Sequence, residues 1–295
     1  MASPVIDIVD LSKYYGKTRG IERVNLQVNR GDIYGFIGPN GAGKSTTIRI
    51  LLNLIFPSAG MAKVLGMDVT RESQRIMRRT GYIPSDANAY QSLSVLEFLE
   101  YCYRFYKTVP DQQRVKELTT WFELDLNRKI ADLSMGNRKK VSIVQSLLHR
   151  PELLILDEPT TGLDPLIQSR FFDLLRTENR NGMTIFLSSH ILNEVQMFCK
   201  KVAIIKEGKI AGVEEIESLR RKQLKKVTIE LFDIQDRNSI IISAYTSKIT
   251  VSGNVVSYMY SGDINALLEV LSHRQLTNLI IEEPTLEEIF MHYYN

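Results

Sequence analysis

The stretch that decides the fold is residues 38–45, GPNGAGKS. It fits the pattern G-x-x-x-x-G-K-[ST], in which glycines let the backbone curl so that several N–H groups face phosphate oxygens. It follows an apolar run, residues 33–37, and opens a run with helical character, residues 44–54. Because a strand, a turn and a helix are the context in which this pattern binds phosphate, we predict that residues 38–45 form a phosphate loop.

The side chains of the phosphate loop suit a nucleoside triphosphate with Mg²⁺. Lys44 places a positive charge at the β- and γ-phosphates, and the hydroxyl of Ser45 is a suitable ligand for Mg²⁺. The helix that begins near Lys44 adds the positive end of its dipole. We therefore assign nucleotide binding to Gly38, Pro39, Asn40, Gly41, Ala42, Gly43, Lys44, Ser45 and Thr46.

Two adjacent carboxylates follow a second apolar run. Residues 153–156 lead directly into Asp157 and Glu158. Carboxylates at the end of a buried strand are unfavourable unless they serve a cation, and in P-loop NTPases an acid at this point holds Mg²⁺. We predict that Asp157 is a metal ligand and that Glu158 is the general base for an attacking water, with a solvated loop acid as the alternative for Glu158.

The order of apolar runs along the chain predicts an α/β protein. Short strand-like runs alternate with helical ones, which favours a parallel sheet covered on both faces. Composition changes after Leu219, where a basic, polar stretch leads into β-branched segments at 227–231 and 249–256 and a helical run at 264–271. We expect one domain over residues 1–219, with a helical subdomain at about 85–150, and a small α+β domain over residues 220–295.

Composition limits the classes of function. With 44% hydrophobic and 24% charged residues, the chain can form a large core. A net charge of only +3 argues against nucleic acid as the main partner. Cys102 and Cys199 are far apart and match no metal or disulfide pattern. We see neither a signal peptide nor an apolar run of the roughly 20 residues that a membrane span needs, so any membrane part would belong to another chain.

Four further segments resemble the ATP-binding cassette (ABC) family. Residues 133–137, LSMGN, look like a variant of its LSGGQ signature, and residues 157–164, DEPTTGLD, like its Walker B motif followed by the D-loop. Residues 188–190, SSH, resemble its switch histidine, and Tyr15 resembles the aromatic residue that stacks on adenine. The resemblance covers roughly residues 5–215. It implies a P-loop NTPase (RecA-like) core, an N-terminal antiparallel β subdomain and a helical subdomain that carries the signature.

The resemblance also implies an ATPase that works as a head-to-tail dimer. Each ATP would lie between the phosphate loop of one subunit and Ser134 and Gly136 of the other, with Asp164 at the dimer seam. His190 would bind the γ-phosphate, although a histidine in a helix cap or in the core is the alternative. Tyr14 competes with Tyr15 for the stacking role.

The chain departs from the family pattern at two places. Ser85 and Asp86 stand where the family has a glutamine that contacts Mg²⁺ and water. We expect Ser85, Asp86 or a water molecule to replace it near the metal, with weaker coupling at this site as the alternative. In the signature, Met135 replaces the first glycine and Asn137 replaces glutamine. We expect catalysis to be retained, with slower turnover as the alternative.

The resemblance further implies a membrane permease as partner. The candidates for its docking groove are Phe98, Tyr101, Tyr103, Phe105 and Tyr106, with ordinary helix core as the alternative for each. Residues 284–290 resemble the end of ATPase subunits from bacterial ABC-2 exporters of antibiotics and antimicrobial peptides. We therefore expect a cytoplasmic exporter subunit on the inner face of the membrane. The alternatives are an importer or sensing complex, and a soluble ABC ATPase that acts on nucleic acid or ribosomes. The basic residues 220–226 form either a solvated linker or a contact with anionic lipid.

Overall fold

The computed structural model describes residues 3–85, 92–106, 111–221, 225–232 and 245–284. After Val213 the chain divides into two compact units, Met1–Val213 and Glu214–Asn295. The boundary expected after residue 219 falls inside the helix Ile216–Arg221, within the second unit. Asp86, residues 222–224 of the basic stretch and residues 285–290 of the exporter-like ending lie outside the described residues.

The strands and helices up to the boundary of the first unit have the following bounds. The strands are β1 Ile6–Tyr15, β2 Thr18–Val28, β3 Ile33–Ile37, β4 Ala59–Val64, β5 Met67–Asp68, β6 Thr80–Ile83, β7 Leu153–Asp157, β8 Thr184–Ser189, β9 Lys201–Lys206 and β10 Lys209–Glu215. The helices are α1 Lys44–Leu51, α2 Ser73–Met77, α3 Val95–Tyr106, α4 Gln112–Trp121, α5 Met135–Leu147, α6 Pro165–Arg180 and α7 Leu192–Phe198.

A four-stranded sheet in the order β2-β1-β4-β5 contains the N-terminal strands. All of its neighbouring strands are antiparallel. Its buried residues share one core with α1 and the central sheet. Gly60 adopts φ +80°, and a Cβ atom there would lie 2.2 Å from the carbonyl oxygen of Asp10, so only glycine fits this close approach of β4 to β1. This sheet is the antiparallel subdomain that the family resemblance implied.

The central sheet has the strand order β10-β9-β3-β8-β7-β6. Strands β3, β6, β7, β8 and β9 pair in parallel, and every residue of β3, β7 and β8 is buried. Continuous burial explains why these strands read as uninterrupted apolar runs. In this register Asp157 lies beside Ser188, and the carboxyl ends of three strands meet at one edge of the sheet. The loops that bear most of the predicted site residues begin at that edge.

The helical segment consists of α3, α4 and α5. Apolar residues at helical spacing in this segment are buried, namely Phe98, Val115, Leu118, Phe122, Val141, Val144 and Leu148, whereas Tyr101 is half-buried and Phe105 is exposed. Helix α1 is shorter than the predicted run of 44–54, because the chain leaves the helical conformation after Leu52 and Asn53 adopts φ +53°.

The second unit has the helices α8 Ile216–Arg221 and α9 Ile264–Ser272, and a four-stranded sheet. Its strands are β11 Lys225–Leu231, β12 Thr246–Ser252, β13 Val255–Tyr260 and β14 Leu276–Glu282. The sheet order is β12-β13-β11-β14, all antiparallel, and α9 buries Leu267 and Leu271 against one face. The predicted segment 249–256 contains a hairpin turn at Gly253, which has φ +61°.

One buried ion pair joins the helical segment to the parallel core. Arg114 of α4 donates to Glu178 of α6 at 2.7 Å, and the two side chains are only 6% and 10% exposed. Removing one partner of such a pair leaves the other charge buried without compensation.

We predict that Arg114→Met lowers the free energy of unfolding by about 3–5 kcal/mol, because Glu178 stays buried. Each kcal/mol lowers Tm by roughly 2–4 °C in a domain of this size. Arg150→Met is the matched control, since Arg150 is 61% exposed in its ion pair with Asp111, and it should cost less than about 1 kcal/mol. Equal thermal shifts for the two variants would contradict this account of the buried pair.

Candidate functional site

The phosphate loop has the backbone geometry that its glycines predict. It connects β3 to α1, and Gly41 and Gly43 adopt φ +79° and +109°. A Cβ atom at Gly43 would lie 2.5 Å from Ile21, and one at Gly38 would lie 2.2 Å from the carbonyl oxygen of Ile205. Glycine is therefore required at positions 38 and 43, by conformation at the second and by close packing at both.

Lys44 is buried and folds back across the phosphate loop. Its Nζ atom donates hydrogen bonds to the carbonyl oxygens of Gly38, at 2.8 Å, and Pro39, at 3.3 Å. The side chain is only 5% exposed. Ser45 and Thr46 are half-buried in the first turn of α1, whereas Pro39, Asn40 and Gly41 are exposed at the rim. The loop thus presents a buried cation beneath an accessible rim.

Asp157 lies at the end of β7 and is 2% exposed. Its Oδ1 atom accepts a hydrogen bond of 2.6 Å from the hydroxyl of Ser188, the neighbouring residue on β8. The sequence analysis did not identify Ser188 as a partner of Asp157. Burial and, to a smaller extent, the nearby Asp157 carboxylate raise the pKa of Tyr82 to about 12.

Glu158 contacts both of the other predicted catalytic residues, His190 and Lys44. Its Oε1 atom lies 3.2 Å from Nδ1 of His190 and 3.5 Å from Nζ of Lys44. Its backbone adopts φ +49°, a strained conformation for a residue with a side chain, and its N–H donates to the carbonyl oxygen of Ser188. The backbone turn after β7 therefore aims the carboxylate of Glu158 at the phosphate loop.

Tyr14 and Tyr15 have different surroundings at the end of β1. The Tyr14 hydroxyl donates to Glu22 at 3.3 Å. The Tyr15 ring lies beside Gly20, where a Cβ atom would be 2.9 Å from Cε2 of Tyr15 and 3.3 Å from Cγ2 of Thr46. Tyr15 is 46% exposed, and Nζ of Lys13 lies 5.4 Å from the centre of its ring. Tyr15 is thus an accessible ring next to helix α1.

Ser134 and Gly136 lie at the start of α5. Ser134 caps this helix, and its Oγ accepts from the N–H of Asn137 at 3.3 Å. A Cβ atom at Gly136 would lie 3.1 Å from the carbonyl oxygen of Gly162, a residue of the D-loop. The side chain of Met135 also lies next to Gly162. Among the described residues, no hydrogen bond or ion pair joins Ser134 or Gly136 to the phosphate loop of the same chain.

Asp164 ends the D-loop and caps α6, where its carboxylate accepts from the N–H of Ile167 at 3.0 Å. Pro165 occupies the first turn of this helix, as its position in the sequence predicted. Ser85 follows β6, and its carbonyl oxygen accepts a hydrogen bond of 3.0 Å from Nζ of Lys139. Lys139 is a site contact that sequence reasoning missed, because its partners Pro84 and Ser85 are more than fifty residues away and no local pattern signals them.

The described part of the chain lacks two kinds of feature, a cluster of metal-binding side chains and a membrane-spanning helix. It holds no group of three or more His, Cys, Asp or Glu side chains arranged to bind a metal ion. None of its helices has the length and hydrophobicity that a bilayer crossing requires. Cys102 and Cys199 are free thiols.

Comparison with known proteins agrees with this geometry. The ABC transporter family model matches residues 21–161. The bacitracin transport ATP-binding protein BcrA of Bacillus licheniformis is 33% identical over 98% of this chain and 97% of its own length. The Nod factor export ATP-binding protein I of Rhizobium etli is 28% identical over 99% of this chain and 93% of its own length.

Solved structures show the same fold. A solved ATP-binding subunit of an ABC transporter is 30% identical, with a TM-score of 0.69 over 74% of this chain and 92% of that one. A dimeric ATP-binding cassette in a post-hydrolysis state, bound to ADP and Pi, is 23% identical, with a TM-score of 0.66 over 72% of this chain and 98% of that one. These matches confirm the predicted fold class. The chain belongs to the ABC transporter family, as an ATP-binding subunit that hydrolyses ATP.

Proposed function

We propose that this ATPase subunit powers an exporter through a catalytic site in which Glu158 is the general base. The observation that carries the proposal is the convergence of His190 and Lys44 on one oxygen of Glu158, at 3.2 and 3.5 Å. The phosphate loop and the buried Asp157 flank this carboxylate. A base aimed at a phosphate-binding loop suits the attack of water on a γ-phosphate.

The proposed reaction uses each of these side chains in a defined way. Lys44 exchanges its two carbonyl acceptors for phosphate oxygens, which are stronger acceptors for an ammonium group. Glu158 accepts a proton from water as the water oxygen bonds to the γ-phosphorus and the bond to the ADP oxygen breaks. His190 holds the Glu158 carboxylate in place and binds the γ-phosphate. The products are ADP and inorganic phosphate.

The donor set at the site fits Mg²⁺. The Ser45 hydroxyl and the Asp157 carboxylate are hard oxygen donors, and the Ser188 hydrogen bond fixes the orientation of that carboxylate. Bound Mg²⁺ would supply positive charge to the phosphates. The rest of its coordination would come from phosphate oxygens and water. The backbone carbonyl of Ser85 is already bonded to Lys139, which leaves the Ser85 hydroxyl for a water-mediated contact.

Tyr15 is the proposed stacking partner of adenine. Its accessible ring lies beside Thr46 and Gly20, close to the phosphate loop, whereas the Tyr14 hydroxyl is engaged with Glu22. A flat aromatic face next to a phosphate site can bind a base without reading its identity.

A second ATPase subunit completes the proposed site. Ser134 and Gly136 have accessible donors at the start of α5 but no hydrogen bond to the phosphate loop of their own chain in the part that the structure describes. In a head-to-tail dimer these donors would reach the γ-phosphate bound by the partner subunit, and Asp164 would lie at the seam. Closing that interface would exclude water from the phosphates.

The membrane partner is proposed to dock on a groove between α1, α2 and α3. A cavity of about 600 Å³ there has an apolar part lined by Leu54, Met77, Cys102, Phe105 and Tyr106. Phe105 is 61% exposed. The assignment to the groove is wrong for Phe98 and Tyr103, since both side chains are buried in the helical core. Docking here would hold the subunit at the inner face of the cell membrane.

Export is the proposed direction of transport. The relatives named above serve bacitracin transport and Nod factor export, and each aligns with nearly the whole of this chain, including the second unit.

We predict that Glu158→Gln lowers the rate of ATP hydrolysis by about 10²–10⁴-fold, because the amide cannot accept the proton. ATP affinity should be retained, and light scattering should detect a dimer that forms only with ATP. Glu123→Gln is the control, since Glu123 is an exposed carboxylate in a surface ion pair. Wild-type turnover by Glu158→Gln would contradict the assignment of the base.

We predict that Lys44→Ala weakens ATP binding at least tenfold, because a buried cation in the phosphate loop is lost. Titration with a fluorescent ATP analogue measures the change. Lys13→Ala, which removes a half-buried lysine near the nucleotide site, should alter the affinity much less. Unchanged binding by the Lys44 variant would refute the phosphate-loop assignment.

We predict that Tyr15→Ala raises the Kd for ATP by the equivalent of about 1–3 kcal/mol, the range for stacking on a base. Tyr14→Ala, which removes a neighbouring ring of similar exposure, should have a smaller effect. The opposite ranking of the two variants would transfer the stacking role to Tyr14.

A further inference from the structure

A lysine outside the predicted motifs links three segments of the first unit. Lys139 belongs to α5, the helix that begins at the signature loop. Its Nζ atom donates to the carbonyl oxygens of Pro84, at 2.7 Å, and Ser85, at 3.0 Å. It also reaches the carbonyl oxygen of Glu158 at 3.5 Å. One ammonium group thus contacts the segment after β6 and the turn after β7.

The burial of Lys139 strengthens its hydrogen bonds to Pro84 and Ser85, whereas its 3.5 Å contact with Glu158 is longer and weaker. The residue is 2% exposed, and it is among the largest fully buried side chains of the described residues. Lysine is almost never fully buried unless its charge is satisfied. The hydrogen bonds of an ammonium group are stronger than those between neutral groups. Losing them would therefore release the backbone segments on which they converge.

Those segments are the ones that shape the catalytic site. Ser85 is the residue whose hydroxyl the proposed function places within a water-mediated contact of Mg²⁺, and the Glu158 carbonyl belongs to the proposed base itself. Glu158 has a strained backbone at φ +49°, and strained residues keep their conformation only when their surroundings hold them. A buried cation on the Glu158 carbonyl is one such constraint.

We propose that Lys139 is a positioning residue, which ties the signature helix to the backbone of Ser85 and Glu158 and thereby sets the orientation of the base. The proposal rests on the proposed function of Glu158. It gives the signature helix a direct mechanical link to the base within the same subunit. A movement of α5 when the signature loop engages a partner's nucleotide would then reach Glu158 through one side chain.

The test is the kinetics of Lys139→Met, which keeps most of the side-chain volume but removes the donors. We expect kcat for ATP hydrolysis to fall by about 10- to 100-fold, since a displacement of about 1 Å has effects of this size. The Kd for ATP should change by less than about twofold, because the phosphate loop is intact. Lys140→Met, a lysine on the same helix with a partly exposed side chain, is the matched control and should keep wild-type kinetics.

A double variant separates positioning from general damage to the fold. If Lys139 acts through Glu158, adding Lys139→Met to Glu158→Gln should lower turnover by less than about twofold more, since residues that act as a unit are not additive. An unchanged kcat for Lys139→Met overturns the proposal. So does a weakened ATP affinity, or a full additive loss in the double variant.

Failure of the proposed function and failure of the positioning role give different results. If Lys139→Met does not fold, Lys139→Gln is measured in its place. Because it keeps one neutral amide donor and loses the charge, kcat should fall by only roughly 2- to 10-fold, with the Kd for ATP unchanged within about twofold, and an unchanged kcat overturns the proposal. If Glu158→Gln alone keeps wild-type turnover, the proposed function fails. If Glu158→Gln is slow while the folded Lys139 variant is as fast as wild type, only the positioning role fails.

Discussion

The charges at the carboxyl edge of the central sheet are the constraint on which the rest of the structure depends. Strands β3, β7 and β8 are completely buried, and their parallel register ends them side by side. Asp157 ends β7, and Lys44 and Glu158 lie in the segments that follow β3 and β7. Lys44 and Asp157 are buried and Glu158 is half-buried, so three charged side chains lie close together at this edge. Each must be satisfied by a partner. Lys44 has two carbonyls and Glu158, Asp157 has Ser188, and Glu158 has His190.

This network explains how the charges of the site are satisfied. The carbonyl contacts of Lys44 and its contact with Glu158 satisfy the lysine charge, and in the proposed function phosphate oxygens replace the two carbonyls. The strained turn at Glu158 is held by the hydrogen bond of its N–H to Ser188 and by the contact of its carbonyl with Lys139. The signature loop packs against the D-loop of its own chain. Its donors therefore remain available to a second subunit.

Much of the fold and the site could be predicted because the deciding signals are local. The buried strands β3, β7 and β8 read as apolar runs, and the phosphate loop and the carboxylate pair each occupy a few consecutive residues. Strand β4 was missed because most of its residues are exposed and show no apolar run. The sequence left open whether Phe98, Tyr103 and Phe105 lie in the helix core or in the groove, since helical spacing does not say which face meets the core. Ser188 and Lys139 act on partners 31 and 54–55 residues away, beyond any local pattern.

The account's central claim is that one ATP site is shared by Glu158 of one subunit and the signature loop of another. The most direct test is an experimental structure of the Glu158→Gln variant with ATP and Mg²⁺. The account predicts two chains head to tail, with each γ-phosphate held between Lys44 of one chain and Ser134 of the other, and with position 158 facing that phosphate. ATP bound within a single chain, with Ser134 open to solvent or position 158 turned away from the phosphate, would contradict it.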